Sequence, residues 1–184
     1  MIIVHHFGLH YNFKTMKIKT LLVISVLLLI CHSAIYAQEA RSQKLPVATI
    51  KTLEGRDFST SQIDNKGKPI IISFWASWCR PCIKELSAIA DLYEDWQDET
   101  GVKLIAISID DARTVNNVRP MVNARGWEYE FYLDSNGDLR RAMGVTNVPH
   151  TFILNGKGEI VHQHTNYTDG SEYEMFEKIK ALVK

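Results

Sequence analysis

Two cysteines, Cys79 and Cys82, stand two residues apart in the stretch Phe74-Trp75-Ala76-Ser77-Trp78-Cys79-Arg80-Pro81-Cys82. A pair at that spacing can hold zinc, carry haem, staple a loop or exchange electrons. Zinc needs two further ligands, and downstream the chain offers His150, His162 and His164. His162 and His164 are two apart on an expected strand, hence on one face, so a site with two cysteines and two histidines is arithmetically available. The plainer reading of that pair is an exposed strand face. Haem attachment requires a histidine straight after the second cysteine, where this chain has Ile83. A purely structural disulfide closing so small a loop constrains the unfolded chain little. Position favours electron exchange. Cys79 follows an apolar run and precedes a helical pattern, so it falls at a helix's first turn, where free amides and the dipole favour an anion. The thiolate is the species that attacks a disulfide. Pro81 needs no amide partner in that turn, and it fixes the chain between the sulfurs. Cys82, one turn further in, is expected to be more covered and ready to resolve a mixed disulfide. Arg80 places a positive charge beside Cys79, although such a side chain can equally point to solvent.

The elements that must position these residues are readable from periodicity. Val47–Thr52 and Asp57–Ser59 read as short strands around the Glu54-Gly55 turn, preceded by a polar leader over 38–44. Ile70–Trp75 is a continuous β-prone apolar run, the sign of a strand covered on both faces. After Pro81 the period changes: Ile83, Leu86, Ile89, Ala90, Tyr93 and Trp96 form the stripe of one helix ending at Gly101. Val102–Ile109 is a second buried strand. Arg113–Arg125 reads as helical, with Pro120 kinking or dividing it. Phe131–Leu133 is a short strand, and Thr151–Leu154 with Ile160–Thr165 flank the hairpin signal Asn155-Gly156-Lys157-Gly158. Ser171 and Glu174 suggest a capping box for a last helix whose face is Phe176, Ile179 and Val183. Two strands joined by a helix imply a parallel crossover, and the hairpin adds antiparallel strands to the same sheet. The expected class is α/β, a central mixed sheet flanked by helices.

The N-terminus has the layout of a secretory signal. From Met16, Lys17 and Lys19 give a positive start, Leu21–Ile30 an apolar run, and Ile35-Tyr36-Ala37 a cleavage site after Ala37. The run is shorter than the roughly 20 residues that span a bilayer; an uncleaved anchor is the alternative. Residues 1–15 fit no part of this layout and suggest a true start at Met16. The domains are therefore an upstream segment 1–15, a signal peptide 16–37 and a single folded domain 38–184. Cleavage removes three lysines, no acid and Cys31, leaving Cys79 and Cys82 alone in a chain expected to work where disulfides persist, in the periplasm or otherwise outside the cytoplasm. A formal charge of zero over the full chain gives no basic footprint for nucleic acid.

Trp78-Cys79-Arg80-Pro81-Cys82 after Phe74-Trp75, with Val148-Pro149 just before the Thr151–Leu154 strand, resembles the active site of the thioredoxin superfamily. The secretory layout, the leader LPVATIKTLEGRDFSTSQI and Cys82-Ile83-Lys84-Glu85 are similar to its TlpA/ResA branch of extracytoplasmic thiol–disulfide oxidoreductases. The resemblance implies a thioredoxin fold with an N-terminal strand extension over about residues 45–184. It implies a redox-active Cys79–Cys82 disulfide with Cys79 attacking and Cys82 resolving, and no other cofactor or metal. Trp78, Arg80 and Pro81 would meet the substrate. Pro149, as a cis-proline, would orient the substrate strand, to which Val148 offers backbone hydrogen bonds. Glu85 matches a branch glutamate that assists proton handling at the cysteines. Thioredoxin itself keeps a buried acid immediately before the Phe-Trp pair; Ser73 stands there and cannot act as a base near neutral pH, which leaves the role to Glu85 or water.

The resemblance also implies partners: disulfide-bearing proteins as substrates and a membrane thiol carrier as electron donor, with the chain acting as a monomeric reductant, for example in cytochrome c maturation. Direction follows from potential and partner, not from the motif. Two alternatives share the fold. A peroxiredoxin-like peroxidase would set its cysteine in a Thr-x-x-Cys context, whereas here Trp78 precedes Cys79. A copper or other metal carrier would space its cysteines by three and use a distant histidine; the spacing here is two, with His150 beside Pro149.

Overall fold

The computed structural model describes residues 43–183; the upstream segment, the signal and the first residues of the leader lie outside them. The strands with unbroken apolar character lie at the centre. β3 (Ile70–Trp75) is buried at every position, and β4 (Lys103–Ser108) at every position but Lys103. They pair in parallel, with Ile72 opposite Ile105, as strands covered on both faces do. β5 (Glu130–Leu133) extends the parallel set beyond β4. On the other side of β3, β6 (His150–Leu154) runs antiparallel, with β7 (Ile160–Thr165) outside it. The hairpin of β1 (Thr49–Thr52) and β2 (Asp57–Ser59) joins through β1 to β5. The sheet order is β2-β1-β5-β4-β3-β6-β7, the mixed sheet with an N-terminal extension that the resemblance implies.

The described α-helices are α1 (Arg80–Ala90), α2 (Tyr93–Thr100), α3 (Val118–Arg125), α4 (Asp138–Ala142) and α5 (Ser171–Lys180), with 3-10 turns at Thr60–Gln62 and Val115–Asn117. Trp96 of α2 stacks on Phe176 of α5, centroids 4.9 Å apart, so the two aromatic stripes close one face together. Burying an aromatic pair of this kind is worth about 0.5–1.5 kcal/mol beyond its area. Gly101 ends α2 with φ 66°, the left-handed cap that a glycine adopts without strain.

Three expected elements change, and one helix is unexpected altogether. The single helix after Pro81 is two, broken at Asp91-Leu92. No glycine or proline marks the break. Tertiary bonding accompanies it: Tyr93 is turned so that its hydroxyl oxygen accepts the Leu104 N–H at 2.8 Å, and its ring meets Tyr129 edge-on. Pro120 does not kink a long helix; it sits in the first turn of α3, where no intrahelical amide is needed. The capping box at Ser171 is absent. Gly170 caps α5, the Ser171 hydroxyl is buried without a partner among the described residues, and Glu172 accepts from Gly170 N–H and the Tyr167 hydroxyl instead. Finally, α4 had no periodic signal; the buried Asp134 carboxylate creates it by accepting the N–H groups of Leu139 and Arg140. The end of the polar leader is also paired, Lys44 bridging antiparallel to Glu159.

Candidate active site

β3 delivers its chain end to the sulfurs. Trp75 is fully buried, edge-on to Trp127 and Phe131, so the strand cannot shift against the core. The turn that follows is tied down by Asp110, just past β4 and itself 0% exposed. Its carboxylate accepts from Ser77 N–H (2.8 Å), Ser77 Oγ (2.6 Å) and Ser108 Oγ (2.8 Å). Charge-assisted bonds of this length are among the strong ones. Cys79 is then the N-cap of α1, and its sulfur accepts the Cys82 N–H at 3.3 Å. Cys79 and Cys82 are joined by a disulfide. Cys79 keeps 5% exposure and Cys82 none. Trp78 is 60% exposed beside the pair; Arg80 and Pro81 are exposed too.

Glu85 lies one turn beyond Cys82 on the same face of α1 and is completely buried. Its Oε1 is 3.0 Å from Thr151 Oγ1 on β6 and 2.9 Å from His164 Nε2 on β7. Thr151 Oγ1 is also 3.2 Å from Ser73 Oγ, and its one proton can serve one of these at a time. The position that Ser73 leaves without an acid is thus approached by a carboxylate arriving from the helix. Tyr129 steadies that helix by donating to the Leu86 carbonyl at 2.8 Å. Burial pushes its phenol far above the ordinary value, so it remains a donor.

The Val148–Pro149 bond is cis, and Pro149 is buried. The register pairs Phe74 with His150, which brings this turn to the same end of the sheet as the Cys79 loop, the carboxyl end of the parallel strands where α/β folds bind ligands. His150 stacks on Phe152 at 4.4 Å and meets Gln163 at 3.2 Å; burial holds it below the usual histidine value, against the opposing Gln163 bond. Next to Trp78 opens a recess of about 620 Å³, with Ile109, Arg113, Arg140, Arg141 and Thr146 among its lining.

Residues 41–163 match the family model described as AhpC/TSA. Sporulation thiol-disulfide oxidoreductase A of Bacillus subtilis is 35% identical over 79% of this chain and 88% of its own. Thiol-disulfide oxidoreductase ResA of Bacillus thuringiensis is 29% identical over 80% and 89%. Among solved structures, a thioredoxin-like protein from Porphyromonas gingivalis shares 51% identity and a TM-score of 0.68, over 76% of this chain and 91% of that one. The chain belongs to the AhpC/TSA family, as a ResA-like thiol–disulfide oxidoreductase. Its redox group is the Cys79–Cys82 disulfide, which takes both thiols into one two-electron unit.

In this oxidoreductase the expected residues divide cleanly. Cys79, Cys82, Trp78, Arg80, Pro81 and the Val148–Pro149 turn gather at one end of the sheet, while Glu85 lies one turn beyond Cys82 on the buried face of α1. Arg80 makes no ion pair among the described residues. The face carrying His162 and His164 is half-buried, not the exposed one expected. Sequence reasoning missed Asp110, Ser77, Thr151 and the use of His164. The only local signal was a polar residue inside otherwise apolar strands, which Thr151 and Ser108 share.

Proposed function

We propose that Cys79 attacks and Cys82 resolves in dithiol–disulfide exchange with proteins. In the reduced enzyme the Cys79 thiolate attacks a substrate disulfide; a Cys79–substrate bond forms and the other substrate sulfur leaves as a thiolate. Cys82 then loses its proton, attacks Cys79 Sγ, closes the Cys79–Cys82 bond and releases the second thiolate. Two electrons pass to the substrate. The observation that carries this assignment is the asymmetry of the pair: Cys79 at the helix cap receiving an N–H, Cys82 inside and fully covered. Glu85, one turn from Cys82, takes its proton.

Trp78, Arg80 and Pro81 form the exposed rim for a polypeptide, with the Val148–Pro149 turn orienting its strand. Membership among ResA-like oxidoreductases and the signal layout support a monomeric reductant acting outside the cytoplasm on disulfide-bearing proteins, recharged by a membrane thiol carrier, with residues 38–184 as the mature domain. Sequencing the mature protein should begin at Gln38.

The roles are tested by trapping. Cys82→Ala, reduced and mixed with a disulfide-bearing protein, should accumulate a mixed disulfide that peptide mapping places on Cys79. Cys79→Ala should accumulate none. Adducts on Cys82 forming as readily in Cys79→Ala would reverse the assignment.

A further inference from the structure

The Glu85 carboxylate is sealed on every side but one. Its side chain is 0% exposed, Oε2 has no hydrogen-bond partner among the described residues, and of the two groups on Oε1 the Thr151 hydroxyl is itself fully buried. The other, His164, keeps 23% of its side chain exposed. It lines a recess of about 200 Å³ between β7 and α5, together with His162, Glu174 and Lys178. An imidazole carries protons between its two nitrogens near neutral pH, whereas a threonine hydroxyl neither gains nor loses one there. The titratable groups facing His164 are Glu85 from α1, His162 from its own strand, and Glu174 and Lys178 from α5, while His150 lies on the other face of the sheet with Phe152 and Gln163. Among them, Glu85 alone makes a direct contact shorter than 3 Å.

We infer that His164 is the positioning and proton-relay residue of the resolving step: it fixes Glu85 through Oε1 and hands to solvent the proton that Glu85 takes from Cys82. The inference rests on the proposed role of Glu85. The step balances. The proton of Cys82 Sγ passes to the Glu85 carboxylate and from Oε1 to His164 Nε2 in the tautomer that leaves Nε2 bare, and the His164 Nδ1 proton passes to water in the recess. The electron pair left on Cys82 Sγ forms the bond to Cys79 Sγ, and the Cys79–substrate bond breaks with its pair on the departing substrate sulfur. The next reduction of the disulfide returns a proton by the reverse route.

Glutathione disulfide is the probe. Reduced protein reacts with it to place glutathione on Cys79, and the second thiol released reports the attack by Cys82. His164→Ala should leave the first attack at the parent's rate. It should slow the second release by about tenfold or more, short of the roughly 10²–10⁴-fold that general acid–base assistance supplies, and shift its pH profile. His164→Gln can still donate to Oε1 but relays no proton; it should restore the thermal midpoint without the rate. In a Glu85→Gln background, His164→Ala should add nothing. If Glu85→Gln slows release and folded His164→Ala or His164→Gln matches the parent in rate and profile, the relay is overturned while the Glu85 role stands. If Glu85→Gln itself matches the parent, the Glu85 role fails and the relay with it.

Discussion

The attacking role proposed for Cys79 rests on where one residue sits. It is the cap of α1, its sulfur already accepts an N–H, and the guanidinium of exposed Arg80 follows it. Free amides and the dipole at a helix N-terminus favour an anion by about 0.3–1 kcal/mol each when partly exposed. The reduced Cys79 thiol should therefore titrate below a free cysteine, read from thiolate absorbance against pH. Arg80→Ala should move it back up and slow attack on a small disulfide by less than about tenfold. An unchanged titration in Arg80→Ala would leave the helix end as the whole cause. A larger loss would mean that Arg80 touches the substrate. The apolar ring of Trp78 works the other way, since desolvation disfavours charge.

The loop between β3 and α1 is an element held from outside itself. Asp110 satisfies both the N–H and the hydroxyl of Ser77, and each buried group left without a partner costs about 1–3 kcal/mol. Asp110→Ala should lower unfolding stability by at least about 2 kcal/mol and depress turnover as the Cys79 loop loosens. Its neighbour Asp111, paired with Arg113 on the surface, should be replaceable by alanine without a measurable shift in denaturant midpoint. Equal effects from the two would sink this account. The contrast also explains what the sequence disclosed. Ile70–Trp75, the Cys79-x-x-Cys82 pair, the hairpin and Val148-Pro149 are local patterns, and each lies where periodicity or motif puts it. The helix raised by Asp134 was missed because a short polar stretch carries no periodicity. The Tyr93–Tyr129 packing at the Asp91-Leu92 break and the Asp110–Ser77 and His164–Glu85 contacts join residues that the chain keeps apart. No short window of sequence contains both halves of these long-range contacts. Glu85 was visible only through the family resemblance of Cys82-Ile83-Lys84-Glu85; its buried partners were not.

Across the whole molecule, burial sets a pH response. It holds His150 and His162 below the ordinary value of 6.5, so the unfolded chain binds protons at a higher pH than the folded one. Their contribution to stability is full above about pH 6.5 and declines as pH falls from there toward the lowered folded values. Urea midpoints taken one pH unit either side of that value should show the loss, and His150→Phe, which keeps a ring on Phe152, should reduce it. A midpoint that rises on acidification would contradict the burial argument. The sheet, the cap and the cis turn meet at one end of the fold to serve a single reaction, so turnover on a protein disulfide is its most direct test. With a thiol reductant supplied, the parent should reduce insulin repeatedly. Cys79→Ser should add nothing to the rate of the reductant alone, and pre-reduced Cys82→Ser mixed with insulin without free reductant should halt after one adduct per chain. Full insulin turnover in Cys79→Ser would contradict the account.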